Sequence, residues 1–203
     1  GCRNTVIGYQ SLYNNISGSE NTAVGLNSLY TNTTGEGNTA VGSYSLLLNT
    51  TGCYNTAVGY RALRYNTTGR NTAIGTDALY CTTTGIGNVA VGDNSMVCNT
   101  TGLYNTAAGA CSLLCNTTGC CNTAHGYNSL FCNTTGASNT SVGTFSLCSN
   151  TTGACNVAVG WRSLQNNTSA CYNIAIGTCT MYLTTTGRRN IGIGHATLKC
   201  NIT

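Results

Sequence analysis

Apolar and polar residues alternate along this chain in one short phrase that returns every 17 positions. The phrase is N-T-A-V-G-x-x-S-L-x-x-N-T-T-G-x-x, numbered here as repeat positions 1 to 17. Its opening asparagines are Asn4, Asn21, Asn38, Asn55, Asn71, Asn88, Asn105, Asn122, Asn139, Asn156, Asn173 and Asn190. Every step is 17 residues except Asn55 to Asn71, which is 16 and places one missing residue between Gly69 and Asn71. A unit this short cannot form a helical hairpin, and two glycines per unit beside β-branched residues argue against helix. The pattern predicts an all-β chain. It is a parallel β-solenoid (β-roll) of about twelve 17-residue coils, each with two short strands and two turns, stacked roughly 4.8 Å apart.

The twelve copies also predict an interior. Position 9 is Leu except at Met96 and Met181, and position 4 is Val, Ile or Ala in all but one copy. Position 2 is Thr in eight copies and Val89, Val157, Ile174 and Ile191 in the rest. Thr exchanging with Val and Ile marks a buried slot on a strand of period two. Positions 2, 4 and 9 are therefore expected inside and position 3, nearly always Ala, outside. On this reading His125, at position 4, is a packed core histidine. Glycine at position 5 in every copy, and at position 15 in all but Ala170, implies a positive φ or a close backbone approach. Asparagine at position 1 throughout suits a turn whose amides hydrogen-bond from coil to coil.

The string N-T-A-V/I-G-x-x-S-L, as in Asn21 to Leu29 and Asn38 to Leu46, resembles the head repeats of trimeric autotransporter adhesins. Those repeat S-V-A-I-G-x-x-S-x-A-x-G, and the string is also similar to repeats of viral and phage fibre proteins. The resemblance implies a left-handed roll within a secreted, elongated surface fibre. The second half of the unit departs from the family by extra residues and its N-T-T-G ending.

That ending carries a candidate modification. Asn15, Asn32, Asn49, Asn66, Asn99, Asn116, Asn133, Asn150, Asn167 and Asn201 occupy position 12, each followed two residues later by Ser or Thr. This is the N-glycosylation acceptor pattern, and covalent glycans along one edge are expected, with no other cofactor. The competing reading is a turn that needs only the threonine, as in Thr82-Thr83-Thr84-Gly85 and Thr184-Thr185-Thr186-Gly187.

Composition narrows the function. Only 6% of residues are charged, the net charge is +4, proline is absent and 41% are apolar, which excludes charge-driven disorder. No apolar run approaches the roughly 18 residues of a membrane span. The fourteen cysteines point to an oxidising compartment and an extracellular or cell-surface location. Cys81, Cys98, Cys115 and Cys132 recur at position 11 of four consecutive coils, close enough in a parallel stack for disulfides; Cys155 and Cys171 form a further candidate pair. Cys111, Cys115, Cys120, Cys121 and His125 are dense enough for zinc, but the solenoid scatters them around the coil and no metal site is expected. Glu20, Glu36, Asp77 and Asp93 fall at four different repeat positions, and no orienting group accompanies Cys121 and His125, so no enzyme is expected. Apart from Arg61, Arg64 and Arg70 in one coil and Arg188-Arg189 near the end, the arginines are scattered, which argues against a nucleic-acid partner.

The expectation is a structural protein, a fibre or adhesin-shaft segment that is glycosylated and disulfide-braced. Residues 1–203 form a single array without a distinct cap at either end. No initiator methionine or signal peptide is seen, so the chain is read as processed or as a window on a longer fibre. Uncapped coils favour self-association along the axis, with side-by-side contact as an addition. The alternative is an ice-binding β-solenoid, since stacked Thr or Asn columns recur on such faces and ryegrass-type rolls resemble this chain in their N-x-V-x-G coils.

Overall fold

The computed structural model describes residues 1–199. Twelve three-residue strands, from Thr5–Ile7 to Ile191–Ile193, form one parallel sheet in strict sequence order. Register advances by one repeat per strand: Thr22, Ala23 and Val24 pair with Thr39, Ala40 and Val41. The predicted solenoid is the observed fold. Only one strand per coil forms, however. The second half of each coil keeps an inter-coil ladder, with the Leu29 and Thr31 amides donating to Ser45 and Leu47. Its backbone is a turn in which positions 7 and 9 both adopt positive φ.

The leucine column carries that conformation throughout. All twelve Leu or Met residues at position 9 have φ between 46° and 52°. An L-residue in this region costs roughly 1–2 kcal/mol, which burying a whole leucine side chain, worth about 1.5–3 kcal/mol, offsets. Leu29 to Met181 in this column are fully buried. This part of the expected core is correct.

The strand faces are reversed from expectation. Position 3 points inward: Ala23, Ala40, Ala57, Ala73, Ala90, Ala107, Ala158 and Ala175 are wholly buried, as is Ser141. Positions 2 and 4 point outward, leaving Ile74, Val89, Val91, Ile174 and Ile176 exposed. His125 is exposed as well, and is not a core residue. The reason is volume. A 17-residue coil encloses too little space for a β-branched side chain opposite the leucine, so the small residue faces in. The sequence held this signal, because position 3 beyond the first coil admits only Ala, Ser and Gly.

The two glycine columns use the two alternatives separately. Position 5 has φ of 120° to 137°. Position 15 has an ordinary φ, but a Cβ on Gly102 would lie 2.5 Å from the Gly119 carbonyl oxygen and 2.3 Å from Asn99 Oδ1. At Ala170, where glycine is replaced, the next coil has Thr184 in place of the usual position-12 asparagine.

The short coil loses its residue elsewhere than expected. Asn55 and Asn66 donate their Nδ2 groups to the Thr68 carbonyl, the role that Gly52 plays for Asn38 and Asn49. The Arg70 amide donates to the Cys53 carbonyl, as the Tyr54 amide does to Glu36. Thr68 therefore stands at position 15 and Gly69 at position 16, and the missing residue comes from the Asn-Thr-Thr turn.

Candidate functional site

Two asparagine columns run inside the rod. At position 1, Asn38 takes its backbone N–H to Asn21 Oδ1 (2.9 Å) and its Nδ2 to the same oxygen (3.1 Å). That Nδ2 also reaches the Gly52 carbonyl at 2.8 Å. At position 12, Asn49 Nδ2 donates to Asn32 Oδ1 (3.1 Å) and also to Gly52 (2.9 Å). One position-15 carbonyl thus ties both columns together wherever position 12 is asparagine, and the position-1 ladder is structural as expected.

The position-12 column overturns the glycosylation expectation. Asn32, Asn49, Asn66, Asn99, Asn116, Asn133, Asn150 and Asn167 are completely buried. Asn15 is partly buried, with its Nδ2 bound to the Gly18 carbonyl; Asn201 lies outside the described residues. A glycan is attached through Nδ2, and here that atom points into the coil. In the turn that follows, the amides of Thr100, Thr101 and Gly102 all donate to the Thr117 carbonyl. Thr82 and Thr184 interrupt the column, and their buried hydroxyls have no partner.

All thirteen described cysteines, including Cys81, Cys98, Cys115, Cys132, Cys155 and Cys171, are free thiols; Cys200 lies outside the described residues. The position-11 thiols are neighbours, since burial first and then Cys132 and Cys98 raise the pKa of Cys115. Burial raises Cys148 furthest, to about 11. Among the described residues no His, Cys, Asp or Glu group is arranged to hold a metal ion. No helix is long and apolar enough to cross a membrane.

Three surface features stand out. The outward sheet face presents Thr or Val/Ile at position 2 and mostly Val or Ile at position 4, in register over twelve strands. A groove of about 390 Å³ opens where the short turn leaves space, walled by Thr51, Cys53, Tyr54, Thr67, Arg70 and Ile86. The third lies on the turn half of the coil, where arginines sit among aromatic rings. Arg61 grips Asp77 with two hydrogen bonds, 2.7 Å from Nε to Oδ1 and 2.5 Å from Nη2 to Oδ2. That hydrogen bonding raises the pKa of Arg61. The Arg64 guanidinium carbon lies 5.5 to 5.9 Å from the ring centres of Tyr65, Tyr44 and Tyr80. Farther along, that of Arg162 lies 4.3 Å from Trp161 and 5.9 Å from Phe145. The sequence places Arg61 and Arg64 in one coil but does not reveal the rings around them, because that clustering depends on positions 6, 7, 10 and 11 meeting across neighbouring coils. No protein-family model matches the chain, and neither curated proteins nor solved structures give a match.

Proposed function

We propose that the chain is a non-catalytic structural rod, a stiff segment of an extracellular fibre or adhesin-like shaft that associates along its own axis. The observation that carries this reading is the uninterrupted twelve-stranded sheet with its two internal asparagine columns. Every coil exchanges hydrogen bonds with both neighbours, the Thr39 amide donating forward to the Asn55 carbonyl and the Gly42 amide backward to that of Val24, so any coil is a template for the next. Twelve strands stacked at about 4.8 Å give a rod about 57 Å long. In an oxidising compartment the position-11 thiols supply bridges between adjacent coils; N-glycans at position 12 are no part of the proposal. Electron microscopy and sedimentation over a concentration series test it. Filaments of one coil's width that lengthen with concentration are expected, and a monodisperse short particle at every concentration would refute axial assembly.

One observation favours a second reading, binding to ice. The regular outward rows of Thr and Val or Ile carry no carboxylate or ammonium, and face reversal places them in solvent. Thermal hysteresis of the soluble protein decides this: a clear freezing gap supports ice binding, and none removes it.

A further inference from the structure

Arg64 and Arg162 share an unusual state. Neither guanidinium has a carboxylate partner or a hydrogen-bond acceptor among the described residues, and each Nε is buried without a partner. Each is held instead by aromatic rings. A guanidinium carries five N–H donors in a planar fork that matches a carboxylate, and stacking on rings fixes the fork without engaging those donors. Nearby Arg61 shows the contrast, since Asp77 already fills its fork.

The two clusters lie on one side of the rod. Arg64 is at position 10 and touches Tyr44 at position 7 of the preceding coil, so these positions are surface neighbours, and Arg162 is at position 7. Six coils separate them, about 29 Å at 4.8 Å per coil. Exposed aromatic surface adjoins both: Tyr60 is 46% exposed beside the first, and Trp161 is 44% exposed within the second.

We propose that this face binds an acidic polysaccharide lying along the rod, with Arg64 and Arg162 each pairing one sugar carboxylate while the neighbouring rings carry pyranose faces. Amphipathic aromatics offer a sugar an apolar body and a polar tip together. Single-stranded nucleic acid requires a continuous cationic track; here two free guanidiniums are widely spaced, with the exposed Asp93 between them in sequence on position 6 of the same half-coil. An acidic peptide held by strand addition needs an open strand edge, which this flank of the rod does not offer. The proposal stands on the fold alone and does not depend on axial assembly.

The test is equilibrium binding of the whole chain to oligogalacturonate, its neutral methyl ester, polyglutamate and oligo-thymidylate. Oligogalacturonate is expected to bind, the methyl ester at least about tenfold more weakly, a difference of about 1.4 kcal/mol. An oligomer long enough to reach both clusters should bind more tightly than a short one. The double variant Arg64→Gln/Arg162→Gln should lose at least as much, while Arg188→Gln/Arg189→Gln, with the same change of charge elsewhere, should lose little. Absence of galacturonate binding, equal binding of the ester, polyglutamate or oligo-thymidylate, or equal loss in the two double variants would each overturn the proposal. The ligand series needs only the unaltered protein, so a misfolded variant leaves the test intact.

Discussion

Asn116→Asp isolates what the inner asparagine column contributes. Asn116 is fully buried. Its Nδ2 donates to Asn99 Oδ1 at 2.8 Å and to the Gly119 carbonyl at 3.0 Å, and its Oδ1 accepts from Asn133 Nδ2 at 2.8 Å. The substitution preserves shape and the bond from Asn133, but removes both donated bonds and turns a carboxylate oxygen toward two buried acceptors. Two lost hydrogen bonds cost about 1 kcal/mol each; Gly119 keeps its bond from Asn105 Nδ2, but leaving Asn99 Oδ1 buried and unpaired adds about 1–3 kcal/mol, for a total near 4 kcal/mol. The sign with pH is set by desolvation, which favours the protonated carboxyl in the folded chain. The folded state then binds the proton more tightly than the unfolded one. The penalty is smallest below the ordinary carboxyl pKa, where the protonated group donates one bond, and grows as pH rises toward the folded value. Urea unfolding of variant and parent at pH 4 and pH 7 measures both effects. A difference under 0.5 kcal/mol at pH 7 (about a twofold change in the folding equilibrium), or a penalty larger at pH 4, would refute the column as a stabilising ladder.

Three further outcomes are expected. Thr184→Asn alone should destabilise, because the equivalent Cβ at Gly153 would sit 2.8 Å from Asn167 Nδ2 and Ala170 carries a real one. Combined with Ala170→Gly it should stabilise, giving Asn167 Oδ1, now unpartnered, a donor; a coupling below about 0.5 kcal/mol in a double-mutant cycle would contradict this. Gly109→Ala should cost about 3 kcal/mol by thermal unfolding, since φ is 137° and the added carbon would meet the Gly126 carbonyl oxygen at 2.6 Å; an unchanged melting curve would be inconsistent with the column geometry. In maleimide labelling at pH 8, exposed Cys2, Cys121 and Cys155 should react well before Cys148, whose thiol is held to about 11 by burial. Raising the pH toward that value should narrow the gap, and equal rates at pH 8 would contradict the burial.

The repeat length, the parallel stack, the buried leucine at position 9, the glycine columns and the position-1 asparagine ladder were all legible from one chain. Each depends on identity at a fixed period, and twelve copies make that period unmistakable. Asn-x-Thr at position 12 is compatible with both a glycan acceptor and an inward amide ladder, and the residue types are the same in either case. The arginine–aromatic clusters were illegible for another reason: Arg64 meets Tyr44 and Tyr80 only because separate coils are superimposed.

Sequence by itself determined that this chain is a stack of equal coils. Only the tertiary structure decided which side of each coil is the inside. Hydropathy favours burying Val and Ile over Ala, and a wider solenoid would do so. In a coil of 17 residues, already filled by one leucine and two asparagine amides, the space opposite accepts nothing larger than a methyl or hydroxymethyl group. Interior volume outweighs side-chain hydrophobicity, so the β-branched residues form the outer face and the amides are held within.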